Sequence, residues 1–157
     1  MTRASGPDAD DTVALVAHVV EHFHEGHRRD LPALGALARA LPPSPATAAL
    51  ADHLDAFAQA LEAHMFKEEM RLFPMMEQGG NTLIAQLIDD MAREHRQHDA
   101  EVDELHTLRA ALPPEAAAAA AAFDAGLECL LDDLAAHVRT EEDRLFPRFQ
   151  RHLPPNR

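Results

Sequence analysis

One pattern of eleven residues occurs twice in the chain and limits what the chain can fold into. Residues 64–74 read HMFKEEMRLFP and residues 137–147 read HVRTEEDRLFP, so both copies share H-x-x-x-E-E-x-R-L-F-P. On a helix, the histidine and the first glutamate of each copy point the same way because they are four residues apart. Two copies that face each other inside a helical bundle would bring two imidazoles and two carboxylates together. The repeat therefore predicts a dinuclear metal site.

Proline and glycine divide the chain into four long amphipathic segments. The segments cover about residues 11–41, about 45–77, a stretch that ends near 111, and about 115–151. The breaks between them are Pro42-Pro43, Gly79-Gly80-Asn81 and Pro113-Pro114. Short connections place consecutive long helices antiparallel to each other. The prediction is an all-α, up-down-up-down four-helix bundle over residues 11–151, with a disordered N-terminal tail at 1–10 and a C-terminal tail at 152–157.

Local features refine these helices. Ser44-Pro45 is typical of an N-cap followed by proline at the first helical position. The alanine tract 116–122 has a high helix propensity and predicts the start of the fourth helix. Pro32, Pro74 and Pro147 lie within helical patterns, so each predicts a kink or the end of a regular stretch.

Composition excludes several classes of protein. Cys129 is the only cysteine, which excludes an internal disulfide and a cysteine-based zinc or iron–sulfur site within one chain. The formal charge of −13 repels phosphate backbones, so no nucleic-acid partner is expected. No apolar run approaches the roughly 20 residues of a membrane span, and the N-terminus is polar and acidic, unlike a secretory signal. We therefore expect a cytoplasmic protein without a membrane partner.

Polar side chains interrupt the apolar stripe of each predicted helix when residues are placed at roughly 100° intervals. The interrupting residues are His24 and His27 on the first helix, His64 and Glu68 on the second, His95 and His98 on the third, and His137 and Glu141 on the fourth. A single inward histidine would be interpreted as a hydrogen-bonded core residue. An inward glutamate, however, is costly unless it is paired or bound to a metal, and the joint pattern favours metal.

The remaining charged residues of the repeat receive different interpretations. Glu69 and Glu142 turn outward on the same wheels. Arg71 and Arg144 lie near the inner edge, three residues after each inward glutamate. Two interpretations of these arginines stay open: a partner that orients a metal-binding carboxylate, or a surface salt bridge.

The ligand types narrow the choice of metal. Imidazole and carboxylate without thiolate suit iron, manganese or zinc, and two bridging carboxylates from facing helices favour two iron ions. Ferritin-like centres use a Glu-x-x-His motif on two helices together with further carboxylates. This chain has that motif once, from Glu21 to His24, and is rich in histidine instead.

These residues resemble a hemerythrin-type (HHE cation-binding) domain. Most of all, the chain resembles the bundle domain of the repair-of-iron-centres family, bacterial diiron proteins tied to nitrosative and oxidative stress. The resemblance covers roughly residues 12–150. It rests on residues 23–34 (FHEGHRRDLPAL), the segment from His64 to Met75, Glu94-His95, and the segment from Asp133 to Arg148.

The resemblance implies six metal ligands, which are His24, His64, Glu68, His95, His137 and Glu141. Glu68 and Glu141 would bridge two iron ions that also share an oxo or hydroxo bridge. The family usually adds an N-terminal module with paired cysteines and a further histidine near the end of the first helix. This chain has one cysteine, and residues 41–45 read LPPSP. His98 and His27 are the candidates to complete the coordination.

The resemblance also implies a function. Four imidazoles and two bridging carboxylates leave open positions on two iron ions for nitric oxide, dioxygen or peroxide. We expect a stress-response diiron protein that binds or reacts with these molecules or supplies iron to damaged centres, with an iron-centre client protein or a reductase as partner. The alternative is a hemerythrin-like oxygen or nitric oxide carrier or sensor without turnover. A third is an iron storage or regulatory module that acts through a partner protein. The sequence assigns no catalytic side chain and no oligomeric state.

Overall fold

The computed structural model describes residues 7–150, which form helices and no strand. The elements of the first half are α1 (Pro7–His18), the π-helical turn π1 (Val19–His24), α2 (Glu25–Arg39), α3 (Pro45–Lys67), π2 (Glu68–Leu72) and α4 (Phe73–Glu77). Those of the second half are α5 (Ile84–Ala110), α6 (Pro114–Ala118), α7 (Ala121–Arg139), π3 (Thr140–Leu145) and α8 (Pro147–Gln150). The π turns join their neighbours into longer rods. We number the rods in chain order as rod 1 (7–39), rod 2 (45–77), rod 3 (α5) and rod 4 (121–150).

The first helix begins earlier than the boundary at residue 11 that the sequence predicts. Residues 7–10, expected to belong to a disordered tail, are the first turn of α1. Proline suits the first helical position because its missing N–H would have no partner there, and Pro7 stands at that position. The rest of both predicted tails, residues 1–6 and 152–157, lies outside the described residues.

The start of rod 2 is as predicted. The Ser44 hydroxyl accepts a hydrogen bond from the Thr47 N–H (3.1 Å), and the Thr47 hydroxyl accepts one from the Ser44 N–H (2.8 Å). This reciprocal pair satisfies two backbone donors that the helix leaves free.

The alanine tract does not form a continuous start to the last long helix. The short α6 ends at Ala118, and a turn at residues 119–120 separates it from α7. This interruption places Ala116 and Ala120 in the same buried apolar cluster as Leu112 and Phe123. Tertiary packing at this end of the molecule therefore overrides the high helix propensity of alanine.

The rods pack so that their buried faces meet. Helix α2 packs against α3 and α7, and α3 packs against α5. Helix α1 contacts α4 and π3, so the beginning of rod 1 lies beside the ends of rods 2 and 4. No helix in residues 7–150 is both long enough and apolar enough to cross a lipid bilayer.

The apolar core is divided into two clusters. One contains the second half of rod 1 and the first half of rod 2, with Leu34, Phe57 and Leu105 among its members. The other contains the beginning of rod 1 and the end of rod 2, with Val19 and Phe73 among its members. On rods 1 and 2, residues 24–27 and 64–68 lie between the two clusters in sequence, and their buried side chains include histidine and glutamate.

Candidate metal centre

A layer of buried polar side chains lies where the two apolar clusters meet. All eight inward residues that the sequence predicts belong to it, and none is more than 5% exposed: His24, His27, His64, Glu68, His95, His98, His137 and Glu141. The 3.6-residue period therefore identified the buried face of every rod.

Six of these side chains converge into two groups that share both glutamates. In one group, potential ligand atoms of His24, His137, Glu68 and Glu141 all lie within 4.8 Å of one another. In the other, atoms of His64, His95, Glu68 and Glu141 do so. We call the first group position A and the second position B.

The ring Nε2 atoms of the four histidines point towards the shared carboxylates. Glu68 Oε1 lies 3.2 Å from Nε2 of His24 and 3.3 Å from Nε2 of His64. Glu141 Oε1 lies 2.5 Å from Nε2 of His137 and 3.7 Å from Nε2 of His95. Each carboxylate thus approaches histidines of both positions, as a carboxylate that bridged two metal ions would.

The hydrogen bonding of the polar layer tests whether metal ions fit here. All four carboxylate oxygens of Glu68 and Glu141 are buried without a hydrogen-bond partner, as are Nε2 of His64 and Nε2 of His95. Buried polar atoms without partners are unfavourable by about 1–3 kcal/mol each. Cations bound between these oxygens and nitrogens would satisfy them, and the donor set suits iron, manganese or zinc.

A wide helical turn accompanies the site in three rods. The N–H of Phe73 donates to the carbonyl of Glu68, and that of Phe146 donates to the carbonyl of Glu141 (2.7 Å), both across five residues rather than four. In π1 the N–H of Glu25 donates to Val20 in the same way. Such turns are rare and are frequent at functional sites.

The wide turns explain the L-F-P end of the repeat. Pro74 and Pro147 lie two residues after the ends of π2 and π3, in the first turns of α4 and α8. A proline has no N–H to donate and its ring would clash with the carbonyl four residues earlier in a regular helix. The wide turn accommodates this, so regular α-helix is interrupted just before both prolines, as predicted. No such interruption accompanies Pro32, because α2 continues through it to Arg39.

Each of the four converging histidines has a polar partner atom near its other ring nitrogen, although Nδ1 of His64 makes no hydrogen bond with its partner. Three of these partners are carboxylates: Glu69 Oε2 lies 3.2 Å from Nδ1 of His24, Glu142 Oε1 lies 2.8 Å from Nδ1 of His95, and Glu94 Oε2 lies 3.4 Å from Nδ1 of His64. The fourth is His27, whose Nε2 lies 3.1 Å from Nδ1 of His137. Contacts of this kind fix the orientation and tautomer of a metal-binding imidazole.

Sequence reasoning missed these outer partners. Glu69 and Glu142 are only partly turned outward, with side chains 23% and 42% exposed, and each reaches back to a buried histidine. The sequence signal that could have revealed Glu69 and Glu142 as outer partners is that both are the second glutamate of the repeated E-E pair. Arg71 and Arg144 carry out neither predicted role, because their exposed side chains form no ion pair or hydrogen bond with the part of the chain that the structure describes.

The two additional histidines are close to the site but outside both converging groups. The ring of His98 lies 5.0 Å from that of His64, between centroids, and its Nδ1 has no hydrogen-bond partner in residues 7–150. His27 contacts the outer nitrogen of His137. The structure therefore places His27 and His98 one step behind the six residues that converge.

Burial sets the protonation of the histidines in the metal-free chain. It lowers the pKa of His24 to about 4, that of His27 to about 3 and that of His64 to about 2. For His95, burial lowers the pKa, but the carboxylates of Glu141 and Glu142 outweigh it and leave the pKa raised. Neutral imidazole is the form that binds a metal ion, so His24 and His64 are poised to do so at neutral pH.

The two central carboxyl groups titrate as a pair. Burial and the neighbouring Glu141 raise the pKa of Glu68 well above its usual value. Burial also opposes the charge on Glu141, but the charge of the neighbouring His137 and the polar side chains that face Glu141 outweigh this and lower its pKa well below the usual value. These opposite shifts oppose a second negative charge on the metal-free pair, and two bound cations would favour it.

Comparison with known proteins identifies a family and several relatives that the chain resembles. The family model "Hemerythrin HHE cation binding domain" matches residues 15–149. The iron-sulfur cluster repair protein YtfE of Edwardsiella ictaluri is 35% identical over 141 residues, which are 85% of this chain and 64% of that protein. The proteins of the same name from Dickeya chrysanthemi and Pectobacterium atrosepticum are 32% and 33% identical, and each match covers 87% of this chain and 65% of the relative.

The chain thus spans slightly less than two thirds of the length of these curated relatives. The match of the family model includes parts of all four rods and all six converging residues. The chain belongs to the hemerythrin HHE cation-binding family.

Proposed function

We propose that the chain holds two iron ions, one at position A and one at position B, bridged by Glu68 and Glu141. The observation that carries this proposal is that the two groups of converging atoms share both glutamates. Membership of a cation-binding family and the buried oxygens without partners support it. Iron is favoured over manganese or zinc because the relatives are named for iron-sulfur cluster repair. An oxo or hydroxo bridge would complete such a pair.

We also propose that the four rods run up-down-up-down as a hemerythrin-like four-helix bundle. The contacts of α1 with the ends of rods 2 and 4 support an antiparallel arrangement of rod 1 with both neighbours. In such a bundle each rod contributes at least one residue to the centre, and two apolar clusters close the polar layer.

The function that this centre supports best is a part in iron-centre repair under nitrosative or oxidative stress. Six protein ligands on two iron ions leave positions where nitric oxide, dioxygen or peroxide can bind, and they also make release of iron to a client possible. The relatives named as iron-sulfur cluster repair proteins support this choice. An iron-centre client protein or a reductase would be the partner, and the cytoplasm is the compartment that suits such clients.

One observation favours a second candidate, a carrier or sensor of oxygen or nitric oxide without turnover. The six converging side chains are at most 3% exposed and lie between two apolar clusters. Exclusion of water protects a bound small molecule from further reaction.

Reconstitution with ferrous iron in the absence of air tests the number of bound iron ions and the bridging role of the two glutamates. We expect two iron ions per chain for the natural sequence and fewer for Glu68→Leu and Glu141→Leu, while Glu104→Leu, which changes an exposed residue, keeps two. Retention of both ions by Glu68→Leu and Glu141→Leu would refute the bridging assignment.

The loaded protein is then mixed with oxygen or nitric oxide and followed by its visible spectrum. A rapid, irreversible change that is accompanied by loss of iron to an added chelator supports the repair function. A long-lived change that is reversed when the gas is removed supports the carrier, and it would displace the first proposal.

A further inference from the structure

We infer that the two metal positions are unequal and that position A releases its ion first, because His27 occupies the place of an outer carboxylate there. The inference rests on the proposed pair of ions. It concerns the atoms that contact the histidines from behind; the converging residues are of the same types at both positions, two histidines and the two shared glutamates.

Position B has a carboxylate behind each of its histidines. Glu142 Oε1 lies 2.8 Å from Nδ1 of His95, and the described residues give Glu142 no cationic side chain to share it with. Glu94 Oε2 lies 3.4 Å from Nδ1 of His64 without a hydrogen bond between them, while its other oxygen pairs with Lys67. Two carboxylates therefore face position B from behind its ligands, and that of Glu142 is not shared with a cationic side chain of the described residues.

Position A has one outer carboxylate, and that carboxylate is shared. Glu69 Oε2 lies 3.2 Å from Nδ1 of His24, but both Glu69 oxygens also accept hydrogen bonds from the guanidinium of Arg28. Behind His137, the partner atom is Nε2 of His27 at 3.1 Å. His27 is 1% exposed and packs against Phe23, so water does not replace it.

The difference has a direct effect on the strength of each ligand. A carboxylate that accepts the Nδ1–H of an imidazole increases the electron density at Nε2 and adds a negative charge near the cation, and loss of such a partner typically weakens metal binding about 10- to 100-fold. A neutral imidazole accepts the same hydrogen bond but adds no charge. The expected difference between the two positions is therefore about tenfold, with position A weaker.

The test is the rate at which an excess of a ferrous chelator removes iron from the loaded protein in the absence of air. The natural sequence should release its two ions in two phases of equal amplitude whose rates differ about tenfold. His27→Gln, which keeps a neutral acceptor, should keep both phases. His27→Glu, which supplies the missing carboxylate, should slow the fast phase until the two phases merge.

A matched pair of variants assigns the phases independently of His27. Glu69→Gln removes the outer charge of position A and should accelerate the fast phase alone, whereas Glu142→Gln should accelerate the slow phase alone. Both residues are partly exposed, so both variants are expected to fold, and unchanged metal-free unfolding curves would show that the effect is not a general loss of structure. This pair also shows which position releases its ion first if His27→Glu does not fold.

Three results would overturn the inference. Two bound ions that leave in a single phase would show equal positions while leaving the diiron proposal intact. Acceleration of the fast phase by Glu142→Gln would reverse the order of release. Fewer than two ions per chain in the natural sequence would overturn the diiron proposal and this inference with it.

Discussion

Replacement of Glu68 by leucine should change stability in opposite directions with and without metal. The Glu68 side chain is fully buried, neither of its oxygens has a hydrogen-bond partner, and burial raises its pKa well above the usual value. In the metal-free chain it is therefore a buried polar group that destabilises the folded state by about 1–3 kcal/mol. Leucine has a similar volume and no polar atom, so Glu68→Leu should stabilise the metal-free protein.

The sign reverses when metal is bound. Ions that bind the folded state stabilise it by about 4 kcal/mol when the free metal concentration is roughly 1,000 times Kd. Leucine offers no ligand to either position, and Glu68 belongs to both groups of converging atoms. The variant should therefore lose most of this stabilisation and become the less stable protein.

Thermal unfolding followed by far-ultraviolet circular dichroism measures both effects. Without metal, the Tm of Glu68→Leu should exceed that of the natural sequence by several degrees, since 1 kcal/mol corresponds to about 2–4 °C for a chain of this size. With ferrous iron and no air, its Tm should be lower. The exposed control Glu104→Leu should change Tm little in either condition. A metal-free Glu68→Leu that is less stable than the natural sequence would refute the reasoning.

The same structure makes three further predictions. Burial lowers the pKa values of three histidines below the unfolded value of about 6.5, so each should cost about 2 kcal/mol of stability between pH 7 and 5 in the metal-free protein. These residues are His24, His27 and His64. The raised pKa values of His95 and Glu68 act in the opposite direction; urea denaturation should still show a net loss, and equal or greater stability at pH 5 would contradict this. Ser44→Ala removes a helix cap far from the site and should lower the free energy of unfolding by about 1 kcal/mol without changing iron content. His98→Leu should keep two iron ions per chain, because His98 is outside both converging groups; loss of one ion would make it a ligand.

The inward faces of rods 2 and 4 were predictable because their histidine and glutamate precede or begin a wide turn. His64 and His137 lie in the last turns of α3 and α7, and Glu68 and Glu141 lie at or next to the first residues of π2 and π3. Up to these glutamates the 3.6-residue period holds, so four-residue spacing places histidine and glutamate on one face. The residue types then indicated metal, since buried carboxylates and imidazoles at one level need a common partner.

Beyond the glutamates the same period fails. A π turn has hydrogen bonds across five residues and shifts the helical register of the residues after it. This explains why Arg71, placed near the inner edge by the wheel, is exposed, while the adjacent Leu72 and Phe73 are both buried. The outer roles of Glu69 and Glu142 were hidden for the same reason, and those of Glu94 and His27 depend on contacts between rods, which periodicity within one helix does not report.

The wide turns and the polar layer are best understood as one feature. Three rods depart from α geometry at the level of the site, at residues 19–24, 68–72 and 140–145, whereas α5 is regular throughout. The residue that α5 contributes, His95, also has its Nε2 farthest from its nearest shared carboxylate, at 3.7 Å against 2.5–3.3 Å for the other three histidines. A rare turn that recurs beside each close ligand indicates that the backbone, and not the side chains alone, was adapted to this centre. The repeat encodes that adaptation directly, because its proline comes two residues after the wide turn in both copies.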